Sequence, residues 1–144
     1  MQVHQILRQK PQAEVITVMP GTSVADAARL LAERRIGAVI VSDDGARPLG
    51  ILSERDIVRD LGRRGVVCLS DKVEALMTRN LIFCTPHDGT DSVLEKMTAG
   101  RFRHMPVMDE GRMVGIISIG DVVAARISEL AMEKDALAGM IMGN

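Results

Sequence analysis

Apolar residues in the first half of the chain fall into short β-branched runs and into stretches with helical spacing. The β-branched runs favour strands, and clusters of glycine, proline and aspartate separate them. The predicted strands cover residues 15–18, 36–41 and 48–52, the last two joined as a hairpin. Helices are predicted over residues 24–35, capped by Thr22 and Ser23, and over residues 53–62.

The second half of the chain repeats this order of elements. Strands are predicted over residues 80–84, 103–108 and 113–117, and helices over residues 90–99 and from Ser118 through Leu130 toward Leu137. Residues 3–9 form a further amphipathic segment that Lys10-Pro11-Gln12 should break. In the link between the halves, a short helix over residues 71–77 is predicted, with Ser70 as its cap.

Matching positions in the two halves keep a nearly constant offset. Pro20 and Pro86 lie 66 positions apart, and Ser53 and Ser118 lie 65 apart because one residue is lost in the hairpin turn. So long a repeat indicates a duplicated β-α-β-β-α unit. One unit is too small to bury both faces of its sheet, so we expect an α+β fold in which two repeats pack about a pseudo-twofold axis.

The repeat also sets the expected domain organisation. It consists of an N-terminal segment at 1–14, a first repeat at 15–66, a linker at 67–79, a second repeat at 80–130 and a C-terminal helix or tail at 131–144.

Composition narrows the classes of function. With 47% hydrophobic residues but only two Phe and no Tyr or Trp, the core must be aliphatic. A net charge of −1 creates no field that would recruit nucleic acid or an anionic membrane. Cys68 and Cys84 are far apart and indicate reduced core thiols rather than a disulfide or a metal site. Without a spanning apolar run or a signal-peptide pattern, the cytoplasm is the expected compartment.

One motif occurs twice at matched places, as Gly50–Asp56 and as Gly115–Asp121. Each copy places a serine at the predicted junction of a strand and a helix, and an aspartate three residues later. Free backbone N–H groups and the helix dipole favour an anion at such a junction. The aspartate lies near the same face and can accept hydrogen bonds from sugar hydroxyls. Each motif therefore offers one place for phosphate and one for ribose.

These two motifs, with His104–Val107 and the lead-in Leu76–Thr78, resemble a tandem pair of cystathionine-β-synthase (CBS) domains, a Bateman module. The resemblance covers roughly residues 6–130. It implies a regulatory module, not an enzyme, that binds AMP, ADP, ATP, NAD(H) or S-adenosylmethionine in clefts between the two repeats. It further implies a homodimer and a separate regulated protein as partners, and no cofactor that acts as a catalyst.

By this resemblance, Asp56 and Asp121 would bind ribose hydroxyls, and Ser53 and Ser118 would meet phosphate or ribose oxygens. Plain helix capping is the alternative for both pairs, and it needs no ligand. Adenine would lie between aliphatic groups and be recognised by the backbone of nearby strands. The candidate positions for that contact are Val15, Ile16, Ala38, Asn80 and Met105, with Pro106 and Ile116 beside them.

The two expected clefts differ in charge. Arg55 in the first motif corresponds to Gly120 in the second, and Arg103 and His104 correspond to Gly37 and Ala38. The cleft expected to take more phosphate charge is formed by Ser53, Arg55, Asp56, Arg103 and His104. The cleft expected to take a less charged ligand is formed by Ser118, Asp121, Gly37 and Ala38. An exposed surface Arg103 and a strand-end His104 bonded to a carbonyl remain the alternatives for these two residues.

Two other classes of function stay open. A small nucleotide-processing enzyme is disfavoured because no nucleophile and base occur at a recognised spacing. A structural dimer or adaptor with vestigial pockets is disfavoured because both copies keep the serine and the aspartate. The methionines near the C-terminus, Met132, Met140 and Met142, suit either a partner surface or filling of an aromatic-poor core.

Overall fold

The computed structural model describes residues 1–10 and 15–141, so the predicted break at Pro11 and Gln12 and the residue Met142 lie outside the described residues. The chain divides into two compact units. The first-repeat unit comprises Glu14–Ile82 and Met108–Val114, and the second-repeat unit comprises Met1–Ala13, Phe83–Val107 and Gly115–Asn144. Both units mix helices and strands, which confirms the predicted α+β fold with two repeats.

The first repeat forms a three-stranded sheet with helices packed against it. Its elements are β1 (Thr17–Val18), α2 (Val24–Arg34), β2 (Ala38–Val41), β3 (Gly50–Ser53) and α3 (Glu54–Arg64). Strand β2 is central, parallel to β1 and antiparallel to β3. Ser23 caps α2 as predicted, since its side chain accepts a hydrogen bond from the Asp26 N–H. The core of this repeat is aliphatic, with Val39, Val41 and Leu52 fully buried.

The second repeat contains a two-stranded hairpin and two helices. Its elements are α5 (Thr90–Gly100), β4 (His104–Asp109), β5 (Arg112–Ser118) and α6 (Ile119–Ile141). Helix α6 runs beyond the predicted end at Leu137. The residues buried in this core include Val93, Met105 and Ile117.

The predicted strand at residues 80–84 is wrong, because only Cys84 makes a bridge, to Val107 of β4. The first repeat shows why. There the Ile40 N–H donates to the Ile16 carbonyl and extends the pairing of β1 with β2. The position that matches Ile40 in the second repeat is Pro106, which has no N–H to donate. One ladder bond is therefore lost, and the pairing shrinks to a single bridge.

The predicted linker helix also differs from the structure. A 3₁₀ turn covers Gly65–Ser70, and helix α4 covers only Val73–Leu76, with Lys72 rather than Ser70 at its N-cap. The cause is pairing of the backbone with the start of α2. The Val24 N–H donates to the Asp71 carbonyl, and the Val73 N–H donates to the Thr22 carbonyl. These bonds hold residues 71 and 72 in an extended conformation.

Two short helices complete the cores of the repeats. Helix α1 (Val3–Gln9) buries Val3 and Ile6 in the core of the second repeat, although it lies at the start of the chain. Helix α4 and the residue after it bury Val73 and Met77 in the core of the first repeat. The N-terminal segment is thus a structural part of the second-repeat unit.

Both cysteines are buried and free, as expected for core thiols. Burial raises the pKa of the Cys84 thiol to about 12, so this thiol stays protonated at neutral pH. Within residues 1–10 and 15–141, no helix has the combination of length and apolar character needed to cross a bilayer.

Candidate functional site

The first motif forms the junction between β3 and α3. Ser53 is the N-cap of α3, and its hydroxyl oxygen accepts the Asp56 N–H at 3.2 Å. In the other direction, Asp56 Oδ2 accepts hydrogen bonds from the Ser53 N–H at 2.9 Å and from the Ser53 hydroxyl at 3.0 Å. This reciprocal arrangement is a capping box. It fixes a nearly buried carboxylate in the first turn of α3, at the positive end of the helix dipole.

The second motif repeats this geometry at the junction between β5 and α6. The Ser118 N–H donates to Asp121 Oδ2 at 2.9 Å, and the Asp121 N–H donates to the Ser118 hydroxyl oxygen at 3.1 Å. The capping contacts expected of Ser-x-x-Asp are therefore present in both repeats.

The two aspartates differ in the cation that accompanies them. Arg59 approaches Asp56 Oδ1 at 3.4 Å from the same helix, and its side chain is 64% exposed. The position that matches Arg59 in the second repeat is Ala124. In the second repeat the cation beside the aspartate is Lys10, whose ammonium lies 2.9 Å from Asp121 Oδ2 and 2.8 Å from the Ile116 carbonyl oxygen. The cation is therefore loosely held in the first motif and fixed in the second.

These contacts set the ionisation of Asp121. Burial acts to raise its pKa, but the hydrogen bond from the Ser118 N–H and the contact with Lys10 outweigh burial and lower the pKa below its usual value of 3.8. The carboxylate is therefore charged at neutral pH and remains a hydrogen-bond acceptor.

We expect Asp121 to make the stability of the second-repeat unit depend on acid pH. A carboxyl with a lowered folded-state pKa stabilises the fold above its unfolded pKa, and this contribution disappears as the pH falls through the folded value. The stability advantage of the wild type over Asp121→Asn should therefore be full near pH 6 and shrink below about pH 4. Urea unfolding followed by circular dichroism across this range measures it. An advantage that does not change with pH would contradict the assigned contacts.

Other candidate residues lie beside the motif of their own repeat. The Gly37 carbonyl accepts the Glu54 N–H at 2.9 Å, and Ala38 pairs with Ser53 across the sheet. In the second repeat, the Arg103 carbonyl accepts the Ile119 N–H at 2.8 Å. The backbone at these positions therefore supports the strand-to-helix junctions.

The remaining candidates differ in accessibility. Arg55, Asn80 and Arg103 are exposed, whereas Val15, Ile16, His104 and Ile116 are partly buried. Met105 and Pro106 are buried, so the Met105 side chain serves to pack the core. The predicted pairing of Ser53, Arg55 and Asp56 with Arg103 and His104 draws on both units, as does the pairing of Asp121 with Gly37 and Ala38. Both pairings stay predictions.

A groove of about 490 Å³ lies on the helical side of the first repeat. It is lined mainly by apolar residues of α2 and α3, and by Arg35, Gly37 and Glu54. Ser53 and Asp56 do not line it. The groove therefore borders the motif at Glu54 without reaching its serine or aspartate, and its lining suits apolar packing better than binding of phosphate.

Sequence reasoning missed two residues that contact the motif aspartates. Arg59 could have been found, because a cation three residues after an aspartate on a helix is a common ion pair. Lys10 carries no local signal, since it is 111 positions from Asp121 and reaches it only because α1 packs against the second repeat.

Comparison with known proteins agrees with the repeat and its motif. The sequence model of the CBS domain matches residues 3–63 and 73–128. A crystal structure of a CBS-domain containing protein from Agrobacterium tumefaciens is 44% identical, with a TM-score of 0.83, and the match covers 88% of this chain and 99% of that one. The CBS domain pair of protein MJ0100, solved with 5′-methylthioadenosine and S-adenosyl-L-methionine, is 28% identical with a TM-score of 0.77 over 90% of this chain and 98% of that one.

A third solved structure, CBSX2 in complex with AMP, is 26% identical with a TM-score of 0.71 over 88% of this chain and 96% of that one. Among curated proteins, CBSCBSPB2 of Arabidopsis thaliana is 35% identical over 127 residues, which are 88% of this chain. The chain spans only 23% of the length of that relative. The chain belongs to the CBS domain family and carries two CBS domains in tandem.

Proposed function

We propose that the protein is a regulatory module that binds an adenine nucleotide or nucleoside, with AMP, ADP, ATP, NAD(H) and S-adenosylmethionine as the panel to test. The observation that carries this proposal is the motif geometry present in both repeats. In each, the serine N–H donates to the aspartate Oδ2 at 2.9 Å, which fixes a carboxylate beside a helix N-terminus. Such a carboxylate can accept hydrogen bonds from ribose hydroxyls, while the positive end of the helix dipole favours phosphate.

The similar structures supply independent support. MJ0100 was solved with two adenosine derivatives, and CBSX2 with AMP. What these ligands share is adenine and ribose, so ribose recognition is the feature that we transfer to Asp56 and Asp121. A module of this kind acts by binding. The bound ligand stabilises one conformation, and a separate protein responds through its different affinity for the two states.

The absence of Trp and Tyr makes this proposal easy to test by absorbance. Because these two side chains dominate protein absorbance near 280 nm, a maximum near 260 nm in the purified protein should come from a bound nucleotide. Mass spectrometry of the denatured filtrate would identify it. We expect an adenine-containing ligand, whereas a co-purified ligand without adenine would contradict the proposal.

We further propose that the protein forms a homodimer and that α6 contributes to its interface. Six exposed positions of α6, called here the α6 seam, are spaced alternately by four and three residues: Val123, Ile127, Leu130, Lys134, Leu137 and Ile141. This heptad spacing is typical of paired helices. The side chains of α6 that are buried in its own unit, Val122 and Ala125, are not part of the seam.

The seam favours a second copy in antiparallel orientation. Parallel pairing in register would place Lys134 against Lys134 of the second copy, and like charges repel. Antiparallel pairing that brings Lys134 next to Leu130 of the second copy avoids this. Alanines at 124, 131 and 138 follow the seam on one side and allow a close approach of the helices.

We expect Leu137→Asp to weaken self-association by at least about tenfold, because it places a charge in the apolar contact. Leu137 is 59% exposed, so its replacement should leave the folded protomer intact. Met132→Asp is the matched control, since Met132 is equally exposed on the same helix but lies off the seam. Sedimentation equilibrium measures both variants. A dimer unaffected by Leu137→Asp would exclude the seam from the interface.

A further inference from the structure

Lys10 and Asp121 form a pair that capping of α6 does not require. The Lys10 ammonium lies 2.9 Å from Asp121 Oδ2 and 2.8 Å from the Ile116 carbonyl oxygen. The two side chains are 23% and 26% exposed, so the pair is partly shielded yet accessible to a ligand. The backbone carbonyl acts as a fixed anchor for the ammonium, which ordinary surface ion pairs lack.

The pair presents a donor and an acceptor side by side. An ammonium has three N–H donors, and two of them are directed at Ile116 and Asp121. Among residues 1–10 and 15–141, no further partner is found for the ammonium. The carboxylate has two oxygens, of which Oδ2 receives Ser118 and Lys10. As far as the described residues show, a third N–H of Lys10 and Asp121 Oδ1 therefore remain for a ligand.

This combination matches a vicinal diol. Asp121 can accept a hydrogen bond from one hydroxyl while Lys10 donates a hydrogen bond to the oxygen of the neighbouring hydroxyl, so that both hydroxyls have charge-assisted partners. The first motif lacks this fixed arrangement, because Arg59 is 64% exposed and approaches Asp56 only at 3.4 Å. The two repeats should therefore differ in how strictly they require both hydroxyls.

We propose that Lys10 determines specificity at the second motif, where it recognises the ribose diol together with Asp121 and selects ribose over 2′-deoxyribose. This inference rests on the proposed function, since it concerns the sugar of the same ligand. A site built to hydrogen-bond a hydroxyl discriminates against the analogue that lacks it, because its polar groups are then left without partners.

The test compares AMP with 2′-deoxyAMP by isothermal titration. Asp56→Ala serves as the background, so that the second motif is observed alone. In this background AMP should bind at least about tenfold more tightly than 2′-deoxyAMP. Adding Lys10→Met, which keeps the aliphatic stem, should weaken the binding of AMP by about tenfold. It should also reduce the ratio of the affinities for AMP and 2′-deoxyAMP. Lys96→Met is the control, because Lys96 is an exposed lysine of the same unit whose nearest carboxylate lies at 4.0 Å.

The outcomes separate this inference from the proposed function. If the wild type binds neither AMP nor any other member of the nucleotide panel, the proposed function fails and this inference with it. If AMP and 2′-deoxyAMP bind equally in the Asp56→Ala background, the inference alone is overturned, and this comparison does not depend on the folding of Lys10→Met. An unchanged ratio in a folded Lys10→Met variant, checked by its melting temperature, also overturns it.

Discussion

Replacing Asp56 by alanine should abolish one nucleotide-binding event, and replacing Asp121 by alanine should abolish a different one. Each carboxylate is held by its own capping box, at the start of α3 or of α6. Loss of the acceptor for the ribose hydroxyls should weaken the affected event by at least about 100-fold, in line with charged hydrogen bonds. Isothermal titration with AMP and the other members of the nucleotide panel measures this effect.

Loss of the cap itself is the effect to separate from loss of binding, because it costs about 1 kcal/mol of stability. Ser23→Ala is the control for loss of a cap. The Ser23 hydroxyl oxygen accepts the Asp26 N–H at the start of α2, as Ser53 accepts the Asp56 N–H in α3, but Ser23 is not part of the repeated motif. Ser23→Ala should lower stability by about 1 kcal/mol and leave both binding events intact. If Asp56→Ala and Asp121→Ala remove the same event, the assignment of one site to each motif is wrong.

Gly50→Ala should destabilise the first-repeat unit by about 1–3 kcal/mol, the range for overpacking a core. A Cβ added at Gly50 would lie 2.5 Å from Met77 Sδ and 3.0 Å from the Thr78 carbonyl oxygen. Met77 can move, but the Thr78 backbone is fixed by two hydrogen bonds with Ile51. The added methyl should therefore push the segment after α4 away from β3. Urea unfolding followed by circular dichroism measures the change.

Gly62→Ala is the control for this experiment. Gly62 lies within α3, and a Cβ added there meets nothing within 4 Å. Because alanine favours helix over glycine, this variant should gain up to about 1 kcal/mol. If the Gly50→Ala protein were as stable as the wild type, residues 77 and 78 would not pack closely against β3.

The close approach at Gly50 has a counterpart in the second repeat, where a Cβ at Gly115 would lie 2.7 Å from Leu7 Cδ2. The glycine that opens each motif thus makes room for a residue near the C-terminal end of a short helix. This residue is Met77, directly after α4, in the first repeat and Leu7, within α1, in the second. Lys10 follows Leu7 by three residues, as the candidate Asn80 follows Met77. Packing at the glycine therefore brings a polar residue into the region of the motif aspartate in the second repeat.

The repeat, the order of elements and the capping pairs were predictable because they depend on local patterns. The 66- and 65-residue offsets bring Ser53 and Ser118 into register, and a serine before a helix leads directly to the cap seen in the structure. The absence of a strand at 80–84 was not predictable from propensity alone. The composition of that segment favours a strand, but the missing N–H of Pro106 lies on its partner, 22 residues from Cys84.

Lys10 could not be predicted for a similar reason. Its role depends on α1 packing into the core of the second repeat through Val3 and Ile6. Sequence spacing assigns α1 to the beginning of the chain and gives no sign of which repeat it joins. Long-range packing thus decides both the extent of the small strand and the cation that accompanies Asp121.

Equilibrium dialysis of the ligand-free protein against the nucleotide panel, each member tested up to about 1 mM, is the most direct test of the central claim. The chain has no Trp or Tyr, so bound nucleotide is read directly from absorbance near 260 nm. We expect saturable binding of at least one adenine-containing ligand that is lost when both Asp56 and Asp121 are replaced by alanine. No binding across the panel, or binding unchanged in this folded double variant, would contradict the account.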